Sequence, residues 1–128
     1  MCIVLILGFL CNSNPANWGK TYKGSGGVHN NVQLDLPLKF GDKWTEAVPL
    51  ADNTYVATWT LITAIRPRKW VFQQVNGIGA HAEGKGDSQG VDGTTTISYM
   101  FESKPGHENM TLFTRRIEYD LPKGKLTR

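Results

Sequence analysis

Cysteine is scarce in this sequence. Two are present, Cys2 and Cys11, both in the first eleven residues, and no CxxC pair occurs. No His, Cys and carboxylate side chains recur at metal-ligand spacing either, so the sequence offers neither a zinc site nor a disulfide framework. If the first segment is helical, nine residues of separation put the two thiols about 13 Å apart along the axis, too far for a disulfide. They read as two buried thiols in a reducing cytoplasm. Long hydrophobic runs are missing as well. The apolar opening Met1–Cys11 (MCIVLILGFLC) falls short of the roughly 20 residues that cross a bilayer. It has no basic start, and no small-x-small cleavage site follows it, so a core helix or strand is a better reading than a targeting segment. A chain that begins inside an element is the remaining alternative.

Basic runs are absent beyond Arg66, Arg68 and Lys69 and the pair Arg115 and Arg116. A net charge of +3 with bases at strand ends and inside alternating strands excludes a nucleic-acid surface, which needs a clustered basic stripe. Catalytic signatures are equally thin. Gly86-Asp87-Ser88-Gln89-Gly90 fits G-x-S-x-G, but it sits between a glycine-rich loop and a strand, without the following helix that strains the serine of a hydrolase. Gly77-Ile78-Gly79 is a piece of a dinucleotide fingerprint with no helix after it. Asn109-Met110-Thr111 is a glycosylation sequon, meaningful only in a secreted protein. No cofactor is implied. With 128 residues, 40% hydrophobic and 20% charged, no internal repeat and no linker, residues 1–128 read as one globular domain with a real core.

What the sequence does have is alternation. Tyr55–Ile65, Lys69–Val75, Thr94–Phe101 and Met110–Leu121 are rich in Thr, Val, Ile, Trp, Tyr and Phe, and Pro or Gly interrupts the chain between them. Such segments form an antiparallel sheet with one buried face. Upstream, Asn12–Asn17 is a turn cluster and Gly24-Ser25-Gly26-Gly27 a loop. Val28–Leu36 reads as a weak strand ended by Pro37, Phe40-Gly41-Asp42 as a turn, and Lys43–Leu50 as a strand. Ala51-Asp52-Asn53 is a hairpin turn. Arg66-Pro67-Arg68 breaks the ladder because proline has no N–H to donate. Asn76–Gly93 is a long loop, and Glu102–Asn109 joins the last two strands.

Sorting the strands by alternation puts Tyr55, Ala57, Trp59, Leu61, Thr63 and Ile65 on one face. Trp44 and Glu46 share a face, as do Trp70, Phe72 and Gln74, then Thr95, Ile97, Tyr99 and Phe101, then Phe113, Arg115, Ile117 and Tyr119. The large aromatics therefore collect on one side, where they make either a ligand wall or a plain aromatic core. The candidate ligand-contacting residues are Trp44, Trp59, Trp70, Phe72, Gln74, Tyr99, Phe101 and Phe113. Arg115 is a charge amid an apolar face, costly unless paired. Glu46 is its candidate partner. The pair reads either as a site, with Arg115 meeting a carboxylate, enolate or phenolate and Glu46 acting as orienter or base, or as a structural salt bridge or snorkelling edge arginine. His81, in the glycine-rich loop, is a candidate acid or base at a pocket mouth, or a solvated loop histidine.

Taken together, Leu38-Lys39-Phe40-Gly41-Asp42-Lys43-Trp44-Thr45-Glu46, Trp59-Thr60-Leu61-Ile62 and Arg66-Pro67-Arg68-Lys69-Trp70-Val71-Phe72 resemble the START-like (SRPBCC) superfamily. So do Gly93–Tyr99 and Phe113–Tyr119, and within that superfamily the pattern looks like the bacterial polyketide cyclase/dehydrase-like group. The resemblance covers Asn14 to Leu121. It implies an α+β helix-grip fold, with a curved antiparallel sheet of about six strands, short N-terminal helical segments (Asn14–Trp18 among them) and a long C-terminal helix enclosing an apolar cavity. It also implies a small hydrophobic ligand such as a lipid or polyketide, and in some members cyclisation or dehydration. The family's first strand is missing or reduced to Met1–Cys11, and seven residues after Leu121 are too few for its last helix. The expectation is a domain truncated at both ends or one whose open sheet a second copy closes as a homodimer.

Overall fold

The computed structural model describes residues 3–50, 53–74, 81–82 and 93–121. Helix α1 spans Ile3–Asn12, a 3-10 turn Pro15–Asn17, helix α2 Trp18–Thr21 and a second 3-10 turn His29–Asn31. The strands are β1 (Lys43–Leu50), β2 (Asn53–Ile65), β3 (Lys69–Gln74), β4 (His81–Ala82), β5 (Thr94–Lys104) and β6 (His107–Asp120). β1, β2, β3, β5 and β6 lie side by side in that order, each antiparallel to its neighbour, and the two-residue β4 pairs with Tyr55 and Val56 of β2. The fold is α+β, with an open antiparallel sheet and short helices ahead of it. Among the described residues no helix is long and apolar enough to cross a membrane.

The register lines up the large side chains. Trp44 lies opposite Trp59, Trp70 opposite Tyr99, Phe72 opposite Ile97 and Phe101 opposite Phe113. Cross-strand neighbours on one face are the unit of sheet stabilisation, so this face becomes the core. Trp44 stacks on Trp70 with ring centres 5.4 Å apart, and Trp59 meets Phe72 edge-on at 4.9 Å. The opposite face is polar where strands meet: Thr45 and Thr58 share a hydroxyl–hydroxyl bond of 3.1 Å, and Gln73 Nε2 donates to Thr96 Oγ1 at 3.0 Å.

Strict alternation fails inside β2. Leu61 pairs with Phe72 but Thr63, not Ile62, pairs with Val71, so Ile62 is an extra residue in β2. A bulge of this kind displaces every later side chain to the other face. Ala64 therefore packs on the core and Thr63 and Ile65 do not, Ile65 being exposed. The sequence reading that kept Thr63 and Ile65 with Trp59 and Leu61 is corrected accordingly.

The N-terminal segment covers the aromatic face. Leu5 and Phe9, one helical turn apart, point the same way from α1, and both are buried. Phe9 packs edge-on against Phe101 at 5.5 Å. Asn14 caps the next turn through its side chain, accepting from the Ala16 N–H at 3.1 Å. Trp18 then drops into the centre of the sheet, with ring centres 5.8 Å from Trp44 and 5.2 Å from Phe72. Its indole N–H is satisfied by the Asn12 carbonyl at 3.1 Å. Among the described residues no helix follows β6, and the role expected of a C-terminal helix falls to α1 and α2.

Three further expectations are corrected. Cys11 is exposed rather than buried, because it lies about 200° round the helix from Phe9. Val28–Leu36 is not a strand: Val28 makes one bridge to Glu46, and Asn30 and Asn31 then adopt positive φ and turn the chain away. The link between the last two strands is shorter than Glu102–Asn109, since β5 runs on to Lys104 and β6 starts at His107. Gly106, at φ 76°, supplies the left-handed residue such a tight turn needs. The motifs at 77–79 and 86–90 lie outside the described residues.

Candidate ligand cavity

A cavity of about 280 Å³ opens between the sheet and the N-terminal cover. Glu46 and Val48 enter it from β1, Trp59 from β2, Phe72 from β3, Ile97 and Tyr99 from β5, and Arg115 from β6. Trp18, Tyr22, Gly24 and Ser25 close the other side. The strand residues converge for the reason that made the core: they all sit on the inward side of the register.

Glu46 is held from two directions. Trp59 Nε1 donates to its Oε1 at 3.1 Å. Ser25 is brought beside it because the glycine-rich loop pairs with the edge of β1, the Gly26 N–H donating to the Ala47 carbonyl at 2.8 Å and the Ala47 N–H to the Gly27 carbonyl at 2.9 Å. This close approach needs glycine: a Cβ at Gly26 would stand 3.3 Å from both the Ala47 Cβ and its carbonyl oxygen, and Gly27 has φ 79°. Ser25 Oγ accepts the Gly27 N–H at 3.1 Å, which leaves the hydroxyl proton for the carboxyl. Burial raises the Glu46 pKa above the ordinary carboxylate value. Hydrogen bonding from Ser25 and Trp59 and the charge of Arg115 pull it down without cancelling that rise.

Tyr99 and Arg115 lie directly opposite one another on β5 and β6. The Arg115 guanidinium sits 5.8 Å from the centre of the Tyr22 ring, a cation–π arrangement at the cavity mouth. Burial pushes the Tyr99 phenol well above its ordinary pKa, and the neighbouring Tyr22 adds to this while Arg115 opposes it. The Tyr22 hydroxyl is close enough to act on Tyr99, yet it is buried without a hydrogen bond of acceptable geometry. Arg115 is itself exposed, as an edge strand allows, and it reaches Glu46 by its charge rather than through a contact salt bridge.

Of the residues singled out from the sequence, the cavity brings together Glu46, Arg115, Trp59, Phe72 and Tyr99. Trp44 and Trp70 are stacked beneath Trp18 in the core and do not line it. Phe101 and Phe113 stack on each other at 5.0 Å at the Phe9 end of the sheet. Gln74 is buried opposite Thr95 at the end of β3. The His81 backbone pairs with Val56, and its side chain lies outside the described residues. Trp18, Tyr22 and Ser25 escaped sequence reasoning. A signal existed for two of them: Trp18 and Tyr22 are four residues apart, which puts two large aromatics on one side of a helical turn.

The chain matches no protein-family model and no curated protein. The cavity therefore has to be read from its own chemistry. It combines apolar aromatic walls, a carboxyl whose neutral form is favoured by burial, and a cluster of hydroxyl and guanidinium donors. Two other hollows among the described residues lack this combination. One of about 230 Å³ beside Asn14, Gly27 and Asn31 has no aromatic wall, and one of about 520 Å³ beside Arg68, Lys69 and Glu102 lies at the sheet's rim.

Proposed function

We propose that this chain is a START-like small-molecule binding protein that takes a small hydrophobic or aromatic ligand between its sheet and its N-terminal helices. The observation that carries this reading is the cavity itself, walled by Trp18, Trp59, Phe72 and Ile97 with a few convergent polar groups. Concave apolar walls with few polar groups are the usual build of a ligand site. A native mass spectrum of protein purified without stripping tests it, since a bound small molecule is the expected result. A mass equal to the bare chain, together with no saturable amide shifts on titration with naphthalene, would overturn it.

Glu46 favours a second reading, a cyclase- or dehydratase-type enzyme on the same scaffold. A carboxyl whose pKa is raised by burial in an apolar cavity is suited to general acid–base work. In that case Glu46→Gln removes turnover and leaves ligand affinity in place. A third reading, a homodimer closed through the sheet, is supported by β6, an edge strand that exposes Met110, Leu112 and Tyr119. A cytoplasmic setting suits the exposed thiol of Cys11 in all three.

A further inference from the structure

We infer that the ligand of this cavity is a one- or two-ring aromatic carboxylate, its carboxylate held at the mouth by Arg115, Tyr22 and Tyr99 and its ring laid against Trp59 and Phe72. The inference rests on the small-molecule reading above and names the chemistry of what binds.

The polar groups at the mouth are weighted towards donors. The Tyr22 hydroxyl is buried with no hydrogen-bond partner, and a buried hydroxyl left unpaired costs free energy that a ligand acceptor would recover. Tyr99 and Arg115 stand opposite one another in the β5–β6 register, and the guanidinium lies over the Tyr22 ring. Three donor-bearing side chains from the cover, β5 and β6 thus meet at one place. A guanidinium is a planar fork that matches a carboxylate with two parallel hydrogen bonds. Glu46 makes no contact salt bridge with Arg115 and is occupied by Trp59 and Ser25, and the Tyr99 hydroxyl takes only part of a guanidinium that carries five N–H donors, so the fork keeps donors for a ligand. Burial favours the neutral form of Glu46, which lessens its repulsion of an incoming anion.

Size narrows the class further. About 280 Å³ is at or below the lower end of cavities that hold drug-sized ligands, roughly 300–1,000 Å³. A long acyl chain or a four-ring sterol does not fit such a space, whereas one or two fused rings do. The aromatic side chains of Trp18, Trp59 and Phe72 offer ring faces and edges for a flat apolar body.

The test compares 2-naphthoate with naphthalene, which has the same rings and no charge. Binding is followed by amide chemical shifts in the full chain at pH 7.5 and low salt, for the wild type, Arg115→Met and Tyr22→Phe. The amide spectrum of each variant also reports whether it is folded. The expected result is that the wild type binds naphthoate at least tenfold more tightly than naphthalene. Arg115→Met should bring the two within about threefold, and Tyr22→Phe should lower the preference at least threefold, both through weaker naphthoate binding. If Arg115→Met fails to fold, raised salt replaces it, because screening of an exposed guanidinium lowers the same preference. Equal affinities in the wild type would overturn the carboxylate receptor and leave the binding reading standing. A preference that survives both substitutions would also overturn it, because the carboxylate would then be held elsewhere. Saturation by neither compound would overturn the small-molecule reading and this inference with it.

Discussion

Trp59 Nε1 donates a 3.1 Å hydrogen bond to Glu46 Oε1, joining a tryptophan of the cavity wall to the one carboxyl among its described lining residues. The two residues sit on neighbouring strands, two register positions apart and so on the same face, with Glu46 opposite Ala57 and Trp59 opposite Trp44. Ala57 leaves the space through which the indole reaches the carboxyl. The bond makes the wall and the titratable group one unit, so changes to either should register at the other.

Replacing Trp59 by Phe removes the donor and keeps an aromatic ring. The carboxyl oxygen then loses a buried partner, which should lower stability by about 1–3 kcal/mol in urea unfolding. Because that hydrogen bond lowers the Glu46 pKa, its loss should also move the carboxyl titration to higher pH, readable from side-chain carbon shifts. An unchanged titration would show that the bond is not formed in solution.

Glu46→Gln keeps an oxygen for the indole and removes the titration. The folded pKa lies above the ordinary value of 4.5, so the folded state holds the proton more tightly than the unfolded one. The stability linked to this group is complete below 4.5 and is lost as pH rises through the folded pKa. Wild type and variant should therefore match near pH 4, and the variant should become the more stable of the two by pH 7. Thermal unfolding in a pH series checks this, and a variant that loses ground as pH rises would contradict it.

Trp18→Ala empties the place where the cover meets the sheet. Trp18 is buried and touches Trp44, Trp70, Phe72 and Tyr99, so the cavity left behind should cost about 3–5 kcal/mol. Denaturant unfolding gives the number, and near-ultraviolet circular dichroism should lose much of its aromatic signal. A loss below about 1 kcal/mol would mean that the N-terminal segment does not seat on the sheet.

Gly27→Ala tests the loop that presents Ser25. With φ at 79° the new Cβ meets nothing closer than 3.6 Å, so strain in the backbone is the main penalty, about 1–2 kcal/mol. Equilibrium unfolding should show that loss without a change in the far-ultraviolet spectrum.

Ile117→Lys changes the edge strand. Ile117 is 38% exposed on β6 and lies opposite the buried Ile97, so losing its partly buried side chain should cost about 1 kcal/mol. A lysine on an open edge should also reduce self-association at high concentration, measurable by light scattering. Unchanged association would place any contact between copies elsewhere.

The inward set of the sheet could be read from alternation because Trp44, Trp59, Trp70, Phe72 and Tyr99 occupy strands whose period is two and whose bulk has nowhere else to go. Glu46 and Arg115 were legible for a related reason, being charges on otherwise apolar faces. The cover was not legible. α1 is apolar on every side, so periodicity does not say that Leu5 and Phe9 face inward while Leu7 and Leu10 face out. Val28–Leu36 alternates as a strand would, but positive φ at Asn30 and Asn31 takes the chain off the sheet. Tyr22 and Ser25 matter only through what lies across from them, which no local pattern encodes.

The additional residue at Ile62 acts as a phase slip in a periodic signal. Up to Leu61 the odd-numbered positions of β2 belong to the interior, and from Thr63 onward the even-numbered ones do. One strand thus obeys two opposite rules of substitution. A charge at Thr63 or Ile65 falls on the outer side, whereas one at Ala64 falls against Trp70. Any library or redesign of this strand that counts straight through from Tyr55 will vary the wrong half.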